Sequence, residues 1–232
     1  MGNMARQTQA LVAFARALTA GPDVSDVLHE LTQHIRVALG ISGAGVFLRE
    51  NGNVRFVTAE DERISTLERI QEEHDQGPGV DAIRTGQAVL VTRLADESAR
   101  WPIYVAKAAD LGISAVAAIP MRNSTCIGAV DLYDTCAHDW SPDQLDIAAV
   151  FAGIATAHWL FATQLQREHR TVEQLQQALD SRVVIEQAKG ILAAERKISI
   201  DEAFGQLRRH ANDHNARLRV VADAVVRLGL RP

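Results

Sequence analysis

The sequence predicts an α+β domain built on an antiparallel sheet, followed without a break by an all-helical tail. Three observations carry this. Between residues 44 and 133, short apolar runs alternate with turn signals, the texture of paired strands. From residue 141 onward the apolar residues recur at helical spacing. No proline occurs from 143 to 231, so nothing in that stretch forces a helix to stop.

The elements follow in order. Residues 4–20 place Leu11, Phe14, Ala15 and Leu18 at helical spacing, and "GPD" (21–23) breaks the helix. Val24, Val27, Leu28, Leu31, Ile35, Ala38 and Leu39 form the stripe of a second helix, with Gly40 as its stop. "AGVFLRE" and "NVRFVTA" are strands joined by the hairpin signal "NGN". A polar helix covers 60–75, and "GPGVDAIRTG" is a turn with a short helix. Strands follow at "AVLV", "SAVAAIPM" and "CIGAVDLY", the last two separated by "RNST". His74 and Trp101 are candidate pocket residues, against the alternative that Trp101–Pro102 is a structural corner. At "SPDQ" (141–144) Ser141 is an N-cap, Pro142 suits the first helical position and Gln144 completes a capping box. This closing helix runs straight on, a stiff connector able to pass rotation or register changes along the chain.

After "KIS" (197–199), Ser199 and Glu202 form another capping box. Ile200, Ala203, Phe204, Leu207 and Ala211 then share one face, and Leu218, Val221, Ala222, Val225 and Leu228 line a last helix. The expected division is a sheet domain with its N-terminal helix at 1–160, a coiled-coil connector at 161–174 and a three-helix unit at 175–232. A unit of this size is marginal alone, which makes a partner copy plausible.

The connecting helix changes sides. Phe161, Leu165, Val172, Leu175 and Leu179 fit a and d positions of heptads, with Glu168 the weak member. Ile185 lies about 240° around from Leu179, and Ala188 and Leu192 leave the seam with it. One helix therefore serves two clients. Its first half, with Leu165, Val172, Leu175 and Leu179 as the seam, faces a second copy. Its second half faces its own two following helices, with Ala188 and the small Gly190 as packing residues.

Composition bounds the function. A hydrophobic content of 47% and a charged content of 23% build real cores. The net charge of −5 argues against coating nucleic acid by bulk basicity. The charge is uneven, however: residues 161–232 carry 12 Lys and Arg against 9 Asp and Glu, while the rest is acidic. Arg182, Glu186 and Lys189 share a helix face, with Arg196, Lys197, Arg208, Arg209, Arg217 and Arg219 nearby in sequence. From spacing this is either a solvated face with intrahelical ion pairs or a face that meets phosphates. His210 and His214 stand at i and i+4 with no third metal ligand evident. Cys126 and Cys136 are no disulfide scaffold. No uninterrupted apolar run reaches the roughly 20 residues that span a bilayer. "MGNMARQ" lacks a signal-peptide core, and Arg6 interrupts a myristoylation pattern. The expectation is a cytoplasmic protein with no membrane partner.

"ALDSRVVIEQAKGILAAERKISIDEAFGQLRRHANDHNARLRVVADAVV" closely resembles the ANTAR domain, the three-helix RNA-binding module of bacterial transcription antiterminators, over roughly 175–230. The preceding residues resemble a GAF domain through "GPGVDAIRTGQAVLV", "RWP", "AVAAIPM" and "IGAVDLY". The resemblance implies a homodimer that binds paired stem-loops in a leader transcript and prevents a terminator hairpin, with no chemistry on the RNA. By motif position it implies Lys189 as the leading RNA contact, with Arg182 beside it. Arg208 and Arg209 join them by charge and location. Phe204, on the apolar stripe, is expected in the core.

GAF domains sense small molecules or redox states, or only dimerise. The Asn-Lys…Phe…Asp-Glu set of cyclic-nucleotide binders is missing, so no ligand of the GAF domain is identifiable, and whether it has one stays open. Thiol reduction of methionine sulfoxide, known in some GAF proteins, has weak support in two cysteines ten residues apart, and no enzyme activity is expected. The alternative is a protein-interaction module in which both domains serve only dimerisation and docking.

Overall fold

The computed structural model describes residues 3–19, 24–50 and 52–232. It has two compact units, Met1–Ala162 and Thr163–Pro232. The break expected at 21–23 lies outside the described residues.

In the first unit, β1 (Gly43–Glu50), β2 (Asn53–Ala59), β3 (Val89–Val91), β4 (Ala115–Arg122) and β5 (Cys126–Asp134) form one sheet in the order β2-β1-β5-β4-β3. Every pairing is antiparallel. Successive side chains leave a strand on opposite faces, and in β1, β4 and β5 both faces are buried. Ala44, Val46, Leu48, Ala117, Ile119, Val130 and Leu132 meet helices α1 (Asn3–Thr19) and α2 (Val24–Leu39) and the start of α6 (Pro142–Arg196). Phe47, Val116, Ala118, Ala129 and Tyr133 pack the other way, among α3 (Glu62–His74), α4 (Pro78–Thr85) and α5 (Pro102–Asp110). A sheet covered on both sides explains why its strands read as nearly continuous apolar runs.

Local chemistry sets the boundaries. Asp61 caps α3 by accepting from the Ile64 N–H at 2.9 Å. Pro78 and Pro102 each open a helix, where a missing N–H costs nothing. Trp101 is the N-cap of α5, almost fully buried, its indole N–H donating to Asp81 Oδ2 at 3.2 Å. The short, Ala-rich helix behind it gave too little periodicity to stand out.

Helix α6 begins with the expected capping box, Gln144 N–H donating to Ser141 Oγ at 3.3 Å and Ser141 N–H to Gln144 Oε1 at 3.1 Å. Ala148, Phe151, Ala152 and Ala155 bury its inner face, and the Phe14 and Phe151 rings lie 5.4 Å apart. Among the described residues α6 is long and apolar enough to cross a membrane by length and composition. Only 28% of that apolar stretch is buried, through residues such as Ala148, Phe151, Ala152 and Ala155.

In the second unit α6 continues to Arg196, followed by α7 (Ile200–Asp213) and α8 (Leu218–Leu228). Lys197 takes a left-handed turn at φ +54°, and Ser199 and Glu202 close a reciprocal capping box that starts α7. Ala188, Leu192, Ala203, Leu207, Ala211, Val221, Ala222 and Val225 form the core. The opposite side of α6 is bare: Phe161, Leu165, Val172, Leu175 and Leu179 are between 42% and 68% exposed.

Candidate nucleic-acid interface and a buried acidic cluster

Lys189 is held. Its Nζ donates to both Glu186 oxygens, at 2.8 and 2.9 Å, and lies 5.3 Å from the centroid of the Phe204 ring on α7. Both contacts stabilise an ammonium in a fixed place, and the side chain is only 14% exposed. Phe204 is half-buried and, rather than joining the core of its unit as its place on the apolar stripe led one to expect, serves as the floor under this lysine. No spacing rule within one helix could have found that pairing, because it joins two helices.

Glu186 turns to Lys189 rather than to Arg182. Arg182 is therefore exposed and makes no ion pair among the described residues. Arg208 and Arg209 are exposed on α7 and also make none. Arg208 is one turn along from Phe204, on the side of α7 that meets Lys189; Arg209 is about 100° further round. Arg217 and Arg219 flank the start of α8 beside an Arg227–Asp223 pair of 2.8 Å. Arg196 bonds instead to Gln206 and the Pro232 carbonyl.

Ala188 is fully buried in the three-helix core. Gly190 is not at a helix contact of its own unit: it is exposed, with open space where a Cβ would stand. Two residues beyond Ala188 it lies about 200° around the helix, away from α7 and α8. His210 and His214 stack at 4.1 Å, with His214 Nδ1 2.9 Å from the His210 carbonyl. Among the described residues no group of three metal-type side chains exists.

In the first unit a polar cluster lies buried between the sheet and α3, α4 and α5. Gln71 Nε2 donates to Glu68 Oε2 and to Asp131 Oδ2, each at 2.8 Å. Its Oε1 accepts from the Gly79 N–H at 2.9 Å. An amide nitrogen has two hydrogens, so the Tyr133 hydroxyl, 3.2 Å away, directs its own proton to Asp131 Oδ2 at 3.3 Å. Glu68 Oε1 and Asp131 Oδ1 are buried without a close partner of their own, while the Tyr104 hydroxyl lies against that of Tyr133. Burial and then the facing Asp131 push the Glu68 carboxyl well above the usual range. Burial lifts Asp131 to about 7, against the lowering pull of its hydrogen bonds. Burial likewise raises both tyrosines.

Glycines make room for this cluster. A Cβ on Gly45 would stand 1.9 Å from Glu68 Oε1, and one on Gly79 would stand 2.5 Å from Asp131 Oδ2. Sequence reasoning missed the cluster. Asp131 alone was visible, as a charge inside the apolar run "IGAVDLY"; Glu68 and Gln71 belong to a helix whose polarity looked like solvent exposure. Of the predicted pocket residues, Trp101 is buried beside Asp81, and His74 is exposed at the end of α3.

Compared with protein families, residues 23–158 match the GAF domain. The chain belongs to the GAF family. Residues 173–226 match the ANTAR domain, so a GAF domain precedes an ANTAR domain in this chain. Solved GAF domains share the fold. That of a phosphoenolpyruvate-protein phosphotransferase from Coxiella burnetii is 12% identical with a TM-score of 0.57, covering 72% of this chain and 99% of its own. The corresponding Acinetobacter domain is 10% identical with a TM-score of 0.56, covering 71% and 97%. Free methionine-R-sulfoxide reductase from Neisseria meningitidis, solved with its substrate, is 13% identical with a TM-score of 0.55, covering 71% and 95%. No curated protein matches. A GAF sensor domain joined to an ANTAR domain makes this a signal-regulated ANTAR regulator, assembled from regulatory rather than catalytic domains.

Proposed function

We propose that this protein is a cytoplasmic homodimeric transcription antiterminator. Its ANTAR domains bind paired stem-loops in a leader transcript and keep a terminator hairpin from forming. The GAF domain sets when this happens. The observation that carries the reading is the ANTAR match over 173–226 together with what lies on its surface: a lysine seated on Glu186 and Phe204, beside exposed arginines without ion pairs. A fixed ammonium suits a defined phosphate or base edge, and free guanidiniums suit the phosphates around it. The proposed contacts are Lys189, Arg182, Arg208 and Arg209. The action is binding, without catalysis.

The bare stripe Phe161, Leu165, Val172, Leu175 and Leu179 supports dimerisation. Repeated apolar side chains open to water on a helix are stabilised by a matching helix. Two copies would present two ANTAR domains to two stem-loops. The same stripe favours a second reading, a protein-docking module without RNA.

Transcription with purified polymerase through a leader that carries paired stem-loops ahead of a terminator tests the proposal. Added protein should raise read-through on that template and leave a template with one stem-loop deleted unchanged. Equal read-through on both templates, or none on either with the GAF domain removed, would overturn it.

A further inference from the structure

We propose that the RNA site is shared between two copies of the chain. The seam of α6 runs on past Leu179 through Val183 and Gly190, and each stem-loop lies in a groove between Arg182 and Lys189 of one copy and Gln187 of the partner subunit. The proposal rests on reading the ANTAR domain as an RNA-binding dimer, and its test separates a failure of that reading from a failure of the shared site.

Position around the helix carries the argument. Counting about 100° per residue from Leu179, the stripe residues Leu165, Val172 and Leu175 fall within about 40° to either side. The band does not end at Leu179. Val183 lies at about +40°, Glu186 at about −20° and Gly190 at about +20°. Ala188, in the core of the unit, lies about 180° away, so α7 and α8 pack on the far side and leave the band open. Val183 is 55% exposed. Gly190 is exposed too, with open space where a Cβ would stand. An apolar side chain and a bare backbone in line with an apolar seam suit a second helix at close range. The charge in this stretch, Glu186, turns its carboxylate aside to Lys189.

The occupant is a second copy, because the band continues without a gap from the stripe that is already bare. In a parallel pair related by a two-fold axis, each flank of one seam meets the opposite flank of the other. Arg182 at about −60° and Lys189 at about −80° lie on the flank that turns to α7, where Lys189 rests on Phe204. Gln187 is exposed on the other flank, at about +80°, and only about 3 Å from Lys189 along the axis. The pair therefore has two identical grooves, one for each stem-loop, and neither groove is complete in one copy.

The two walls of a groove differ in chemistry. Lysine and arginine only donate, which suits phosphates and the carbonyl edges of bases. The Gln187 amide both donates and accepts, so it can read an unpaired base that the cations opposite hold in place. The partner subunit thus supplies a contact of a kind that the cationic flank of the first copy lacks.

The test combines two defects. Full-length chains carrying Lys189→Ala and Gln187→Ala are co-expressed with different tags, and the mixed dimer is isolated through both. In this dimer both losses fall in one groove and the other groove is whole. With a single stem-loop RNA at low salt, the Lys189→Ala dimer should bind at least about fivefold more weakly than wild type, and the Gln187→Ala dimer about three- to tenfold more weakly. The mixed dimer should recover wild-type affinity in half the number of sites. If each copy held its RNA alone, mixing would create no intact site and rescue nothing. Geometry has its own readout without RNA. With Cys126→Ser and Cys136→Ser in place, Gly190→Cys should cross-link the two copies under mild oxidation, and Gln187→Cys should not. No rescue in the mixed dimer, unchanged binding in Gln187→Ala, or no cross-link at position 190 would overturn the proposal. Absence of RNA binding by the wild-type chain would sink the antitermination reading and the shared site together, whereas wild-type binding without rescue would sink the shared site alone.

Discussion

Raising the pH should weaken the GAF unit, and Asp131→Asn should remove part of that weakness. Asp131 stands at about 7 in the fold against 3.8 for a free aspartate. Between those values the folded state holds a proton that the unfolded state has lost. Stability therefore falls as pH rises through this window and is flat in Asp131 above it. A difference of roughly three pKa units corresponds to about 4 kcal/mol. Glu68, whose carboxyl burial and the facing Asp131 also raise, adds to the fall in the same direction. An asparagine keeps the acceptor for Gln71 and carries no charge at any pH. Its unfolding free energy should drop less between about pH 5 and pH 8, and it should be the more stable protein at the upper end. The three tryptophans, Trp101, Trp140 and Trp159, all belong to the first unit. Urea unfolding followed by tryptophan fluorescence therefore reports on this unit. The same pH slope in wild type and Asp131→Asn, or an asparagine variant that is weaker even at pH 8, would refute the reasoning.

Other outcomes follow from the same geometry. Gly45→Ala must displace the buried Glu68 carboxylate and should cost about 1–3 kcal/mol in the same unfolding assay. Ser199→Ala removes the cap of α7 and should cost the second unit about 1 kcal/mol, read by circular dichroism at 222 nm in thermal melts of the full chain. Leu175→Glu with Leu179→Glu places charge in the bare stripe and should convert a dimer to a monomer in sedimentation equilibrium, with helix content retained.

The two textures of the chain were legible because each is a periodicity. Alternating short runs gave the sheet, and the heptads, the Ser141 and Ser199 capping boxes and the absence of proline gave the long helix and the three-helix tail. The exposed seam and the buried Ala188 and Leu192 follow from the same counting around a helix. The sequence did not reveal what depends on one element meeting another. Phe204 could be assigned to an apolar stripe, but not to a place beneath Lys189. Glu68 and Gln71 looked like the wet side of a polar helix, because only the fold lays that side against Asp131. Gly190 looked like a packing residue because small residues so often are. Its angle from Ala188, about 200°, already placed it on the far side of the helix.

The most direct measurement is the affinity of the purified protein for a paired stem-loop RNA across a salt series, beside a single hairpin and the Lys189→Ala variant. The account predicts selective binding to the paired RNA, weakening steeply with salt as phosphate contacts are lost. Lys189→Ala should lose about 1–3 kcal/mol of it. Binding that ignores salt, does not distinguish paired from single hairpins, or survives Lys189→Ala unchanged would contradict the account and leave the protein-docking reading in its place.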